Sequence, residues 1–195
     1  MTIDTFLLIG LGNPGREYKN NRHNVGFMVI DRLAVRLNAR GLKVQSKAIV
    51  TDAVYEDRKL ILAKPQTYMN LSGQSVQGLV HFYKVPLTNL MVLSDDLDLP
   101  FGAIRIRASG GAGGQRGMGS VVDSLGSKDF PRLRIGIGRP PGRMDPAAYV
   151  LQDFSRDDLK SLPEIIDHAE QAVLEFVLKG LDAAMNKYNG TVLES

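Results

Sequence analysis

The sequence predicts an α/β fold, a three-layer α/β/α single domain over residues 1–195 built on a twisted mixed β-sheet. Three observations predict it. Short, nearly continuous apolar runs alternate with segments of helical period, as buried strands do when helices cover both faces of a sheet. Two Val- and Ile-rich runs flanking Glu56-Asp57-Arg58 read as a hairpin, so antiparallel pairing enters the sheet. A chain of 195 residues buries roughly 70% of its unfolded surface, enough for one good core.

Each element has its own justification. Residues 5–11 form an apolar run ended by Gly12-Asn13-Pro14-Gly15, a buried strand entering a turn; with Asp4 present and no basic leader, the run reads as a first strand and not as a signal segment. Residues 25–37 carry Val25, Met28, Val29, Leu33 and Leu37 at helical spacing. Residues 47–54 and 60–63 are the hairpin, and Asn70 or Ser72 is placed to cap a helix running to Lys84. Residues 90–93 form another buried strand, ending at Ser94-Asp95-Asp96-Leu97-Asp98. Ile104 and Ile106 alternate with Arg105 and Arg107, a strand with one wet face. A glycine loop over 109–117 leads to a helix from about Met118 to Leu125, residues 133–137 are the last expected strand, and Ser155-x-x-Asp158 resembles a capping box before a helix reaching Lys179. Residues 182–188 close the chain as a short helix.

Composition narrows the function classes. No segment approaches the roughly 20 apolar residues of a membrane span. The absence of Cys excludes a disulfide framework and thiolate metal sites, and suits a reducing cytoplasm. The net charge of +3 is mild but uneven: residues 100–143 hold eight basic side chains against two acids, whereas residues 151–195 hold four against nine. A polyanion is therefore drawn to one side of the molecule.

The stretch 8–31 concentrates the chemistry. Its Gly10-Leu11-Gly12-Asn13-Pro14-Gly15 fits the dinucleotide fingerprint, with Asp31 about twenty residues on, but context argues against that use. The residues after Gly15 are polar and the helix opens only near Val25, so no helix N-terminus meets a pyrophosphate, and Asp31 falls inside that helix.

Of three histidines, His81 and His168 sit in helical stretches, while His23 lies in a polar loop near a strand's carboxyl end, where α/β sheets place their sites. Imidazole ordinarily titrates near ~6.5 and suits proton abstraction from water, although capping or plain exposure explains His23 equally well. Asp95, Asp96 and Asp98 follow another strand; one of them could orient His23, the three could hold a divalent cation, or they could form a solvated turn. Asn13, Asn24 and Asn70 each offer a neutral donor and acceptor for a substrate amide, and each is also a good turn residue.

Five ordered blocks carry a resemblance: Gly10-Leu11-Gly12-Asn13-Pro14-Gly15-x-x-Tyr18, Arg22-His23-Asn24-Val25-Gly26, Lys64-Pro65-x-Thr67-Tyr68-Met69-Asn70-Leu71-Ser72-Gly73, Asp95-x-Leu97-Asp98-Leu99-Pro100 and Arg132-Leu133-Arg134-Ile135-Gly136-Ile137-Gly138. Together they resemble the bacterial-type peptidyl-tRNA hydrolases. The resemblance implies hydrolysis of the ester between peptide and tRNA by a monomeric cytoplasmic enzyme that needs neither metal nor cofactor. It implies His23 as general base and Asp95 as the acid that orients it. Asn13 would discriminate peptidyl-tRNA from aminoacyl-tRNA, Tyr18, Tyr68, Asn70 and Asn24 would bind substrate, and Arg107 and Arg134 would clamp a tRNA phosphate.

One block departs from the family. Its usual Gly-His-Asn-Gly is Gly114-Gln115-Arg116-Gly117 here, so Arg116 replaces the substrate-binding asparagine, keeping donors but losing the amide acceptor and adding charge. Two outcomes stay open. Arg116 contacts the RNA and activity survives, or the chain is a non-catalytic RNA-binding relative of the splicing-factor kind. A nucleotide-dependent oxidoreductase is the third class, carried by the glycine pattern alone.

Overall fold

Phe6, Leu7, Leu8 and Ile9 are apolar on both sides of the chain because the first strand, β1 (Thr5–Gly10), lies inside its sheet with helices over each face. The computed structural model describes residues 4–193. After β1 come α1 (Val25–Arg36), β2 (Arg40–Gln45), β3 (Ala48–Tyr55), β4 (Arg58–Pro65), α2 (Ser72–Tyr83), β5 (Leu90–Asp96), β6 (Ala103–Arg107) and α3 (Arg116–Leu125). Then follow β7 (Arg132–Gly136), α4 (Pro146–Val150), α5 (Asp158–Lys179), α6 (Leu181–Tyr188) and β8 (Gly190–Thr191).

The strand order is β2-β3-β4-β1-β5-β7-β6-β8. β4, β1, β5 and β7 run parallel, while β2, β3, β6 and β8 pair antiparallel, so the sheet is mixed as the sequence predicts. One face packs Phe6, Leu8, Leu93 and Leu133 against Val29 and Leu33 of α1 and Ile165, Val173 and Phe176 of α5. The other packs Leu7, Ile9 and Val92 against Val76 and Leu79 of α2 and Met118 and Val121 of α3. These are the three layers.

The register of β1 and β5 sets the site. Gly10 stands beside Leu93, so the loop leaving β1 and the end of β5 emerge side by side at one edge. The glycines in this region serve close packing of α1 on the sheet. A Cβ on Gly10 would lie 2.2 Å from the Gly26 carbonyl oxygen, and one on Gly26 would lie 2.6 Å from that of Leu93. No phosphate is needed to explain them. Gly10→Ala is expected to cost about 2 kcal/mol or more in urea unfolding, because its methyl would meet the Gly26 backbone, which cannot swing aside; a loss under about 0.5 kcal/mol would contradict that packing role.

The structure departs from the sequence reading at several ends. β2 is exposed along nearly its whole length, so no buried-and-wet alternation marks it in the sequence. β5 runs on through Asp96, because Ser94, Asp95 and Asp96 pair with Arg134, Ile135 and Gly136 of β7. α3 opens two residues early, at Arg116, because Gln115 caps it. Neither Asn70 nor Ser72 caps α2; a 3-10 turn (Met69–Leu71) leads in, and Ser72 Oγ donates to the Met69 carbonyl. The box at the start of α5 is formed as expected: the Ser155 N–H donates to Asp158 (3.0 Å) and the Asp158 N–H to Ser155 Oγ (3.1 Å).

Candidate active site

The loop leaving β1 has two fixed points. The first is an exchange between Asn13 and Asn24: the Asn13 N–H donates to Asn24 Oδ1 (2.8 Å), and Asn24 Nδ2 donates back to the Asn13 carbonyl (2.9 Å). The second is Arg22, whose guanidinium donates to the Asp153 carbonyl (2.8 Å), pairs with Asp158 (3.2 Å) and lies 4.3 Å over the Tyr149 ring. Arg22 is buried, and it ties the loop to the segment joining α4 and α5. His23 stands between these anchors, in a 3-10 turn (Arg22–Asn24) running straight into α1.

Asp95 meets His23 from the end of β5. His23 Nδ1 lies 2.9 Å from both Asp95 carboxylate oxygens, with the aspartate side chain 2% exposed and the histidine 11%. A carboxylate only accepts, so Nδ1 carries the hydrogen, and in the neutral ring Nε2 keeps its lone pair. Nε2 has no protein partner among the described residues, and His23 lines a cleft of about 690 Å3. The three aspartates do not converge on one point: Asp95 takes His23, Asp96 pairs with Arg134, and Asp98 pairs with Arg139. The reading of a three-carboxylate cation site is thereby corrected, because each carboxylate is committed to a different cationic or imidazole partner.

Asn13, Tyr18, Tyr68, Asn70 and Arg116 all line the same cleft as His23 and Asp95. Asn13 is oriented by the Met69 N–H, which donates to its Oδ1 (2.8 Å), so its amide nitrogen is the group left for a ligand. Tyr68 and Asn70 are exposed at the rim, on the turn entering α2. Arg116 is exposed at the first residue of α3. Asn24 does not line the cleft; both ends of its amide are spent on the Asn13 backbone, an exchange that braces the loop.

Arg107 and Arg134 lie outside the cleft, on a neighbouring basic face. In the pairing of β6 with β7, Arg105 stands opposite Arg134 and Arg107 opposite Arg132. Like charges directly opposed are unfavourable without an anion. Arg132 escapes by burial: its guanidinium donates to the carbonyls of Gly110 (2.6 Å), Lys128 (2.8 Å) and Phe130 (3.2 Å), bracing the glycine loop. Burial first, then the Arg134 charge, holds its pKa below the usual arginine value. Arg107 is exposed, and Arg134 shares its charge with Asp96.

A family model described as peptidyl-tRNA hydrolase matches residues 7–195. The chain belongs to the peptidyl-tRNA hydrolase family. The peptidyl-tRNA hydrolase of Rhodococcus opacus is 49% identical over 189 residues, covering 96% of this chain and 99% of that protein. That of Frankia casuarinae is 45% identical over 184 residues, covering 94% and 93%. The crystal structure of peptidyl-tRNA hydrolase from Acinetobacter baumannii superposes with a TM-score of 0.90 at 34% identity, over 98% of each chain.

Sequence reasoning missed the role of one polar group in this hydrolase cleft and the partner of another. Gln115 donates from Nε2 to Asp95 Oδ1 (3.0 Å) while its Oε1 accepts the Met118 N–H (2.6 Å). Its signal was its place just before a helical run, masked by the charged neighbour Arg116. Asp96 was grouped with Asp95, yet strand alternation sends the two to opposite faces, one to His23 and one to Arg134. α4, whose Pro146, Ala147 and Val150 form one wall, is too short to announce itself by periodicity.

Proposed function

We propose that the cleft hydrolyses the ester joining peptide to the terminal ribose of tRNA, with His23 as general base. The observation that carries this is the His23–Asp95 pair, which leaves Nε2 as an acceptor facing the cleft. A water held at Nε2 attacks the ester carbonyl; as its oxygen bonds to carbon, its proton passes to Nε2, and the Asp95 carboxylate supports the imidazolium that forms. Collapse breaks the bond from carbon to the ribose oxygen, and Nε2 returns the proton to that oxygen. The products are a peptide acid and free tRNA.

The asparagines take the neutral roles. The Asn13 amide nitrogen, oriented through Met69, donates to the acyl group, and the exposed Asn70 amide holds the peptide backbone and the attacking water. Tyr18 and Tyr68 offer walls for the chain ends, and Arg116 offers its charge to RNA phosphate or the terminal adenosine. The chain is proposed to act as a monomer in the cytoplasm, together with its substrate. Among the described residues no helix is long and apolar enough to cross a membrane.

The test is release of peptide from N-blocked aminoacyl-tRNA by the purified chain. First-order release supports the reading, whereas tight RNA binding without turnover favours the non-catalytic alternative that Arg116 keeps in view. The basic face of β6 and β7 makes its own prediction. Arg107→Ala and Arg134→Ala should each weaken tRNA binding and lower the slope of log affinity against log salt by about 1, as loss of one phosphate contact does. Unchanged slopes would remove both residues from the phosphate clamp.

A further inference from the structure

We propose that Gln115 is a positioning residue for the reaction, its amide fixing Asp95 against His23 and tying that pair to the start of α3. The proposal rests on the hydrolytic reading above. Gln115 occupies the cap of α3, with φ −77° and ψ 115°, and its Oε1 accepts the Met118 N–H at 2.6 Å. Short side chains, Ser, Thr, Asp and Asn, are the efficient residues there, so a long glutamine needs another reason. The other end of the amide supplies it: Nε2 donates to Asp95 Oδ1 at 3.0 Å and also lies 3.3 Å from Met69 Sδ.

An amide engaged at both ends cannot flip without losing both bonds. Exchanging oxygen and nitrogen would set Nε2 against the Met118 N–H and Oε1 against the Asp95 carboxylate. Asp95 is therefore held from two sides, by His23 Nδ1 and by a neutral donor that adds no charge to the pair. Gly117 makes room for this arrangement, since a Cβ there would lie 2.3 Å from Met69 Sδ and 3.0 Å from Gln115 Oε1. Gly113 and Gly114 precede the cap at φ +58° and +80°, left-handed values that let the loop turn sharply into the helix. The segment carrying Arg116 into the cleft is thus registered on the catalytic pair through one side chain.

The two ends of Gln115 can be separated by substitution. Gln115→Ser keeps a good cap but cannot reach Asp95. Its melting temperature should stay within about 2 °C of wild type, while kcat on N-blocked aminoacyl-tRNA falls roughly tenfold and KM moves less than twofold, the pattern of a lost bond to a charged group that acts in the chemical step. Gln115→Asn, another capping residue a methylene short of Asp95, gives the same reading should the serine variant fail to fold. A short-side-chain variant that folds and keeps wild-type kcat overturns the positioning role and leaves Gln115 a cap alone. Absence of turnover in the wild type would instead overturn the hydrolytic reading, so the two failures are distinguishable.

Discussion

Asp95→Asn is expected to lower kcat by roughly 10²–10⁴-fold while leaving the fold and RNA affinity close to wild type. The carboxylate accepts from His23 Nδ1 through both oxygens at 2.9 Å, and from Gln115 at Oδ1. Gln115 selects the orientation of an asparagine at this position, because its Nε2 must face an oxygen. The new Nδ2 then sits where Oδ2 now accepts, presenting an N–H toward Nδ1. With Oδ1 still 2.9 Å from Nδ1 and an N–H now facing the same atom, the tautomer with a free Nε2 lone pair loses its preference, and the negative charge that supports the imidazolium is gone. Single-turnover rates with saturating enzyme isolate this step from binding, and a loss under about fivefold would show that Asp95 does not govern the ring.

His23→Ala should cost at least as much, about 10²–10⁴-fold from the missing base, and leave tRNA binding within about threefold. Binding survives because the basic face on β6 and β7 is separate from the cleft wall formed by His23. The fold survives because His23 makes its side-chain hydrogen bonds only to Asp95 among the described residues, whereas its neighbours Arg22 and Asn24 carry the anchors of the loop. The same contrast predicts that loss of Arg22 would damage the site through the loop itself.

Most of the architecture was legible because the buried strands and covering helices leave strong periodic marks. β1 and the hairpin of β3 and β4 follow from apolar runs broken by turn residues, and α1 from its helical spacing. The elements that escaped are those with no such mark: β2 is exposed, α4 has five residues and β8 has two. In the site, the pairing of His23 with an aspartate could be anticipated from two strand ends at one sheet edge, but the choice of Asp95 over Asp96 depends on which face of β5 each side chain takes. The sequence resemblance supplied that choice before the geometry did. For Asn24, a turn asparagine and a substrate-binding asparagine look alike in sequence until the partners of the amide are known. Gln115 escaped because its function depends on reaching a residue on another strand, which no local pattern records.

Chemical rescue of His23→Ala tests the central claim most directly, that the cleft works through a histidine base. Truncation leaves space where the ring stood, beside the intact Asp95. Added imidazole is predicted to restore release of peptide from N-blocked aminoacyl-tRNA in proportion to its neutral form, from a baseline at least about 100-fold below wild type. Release at the wild-type rate without imidazole would contradict the account.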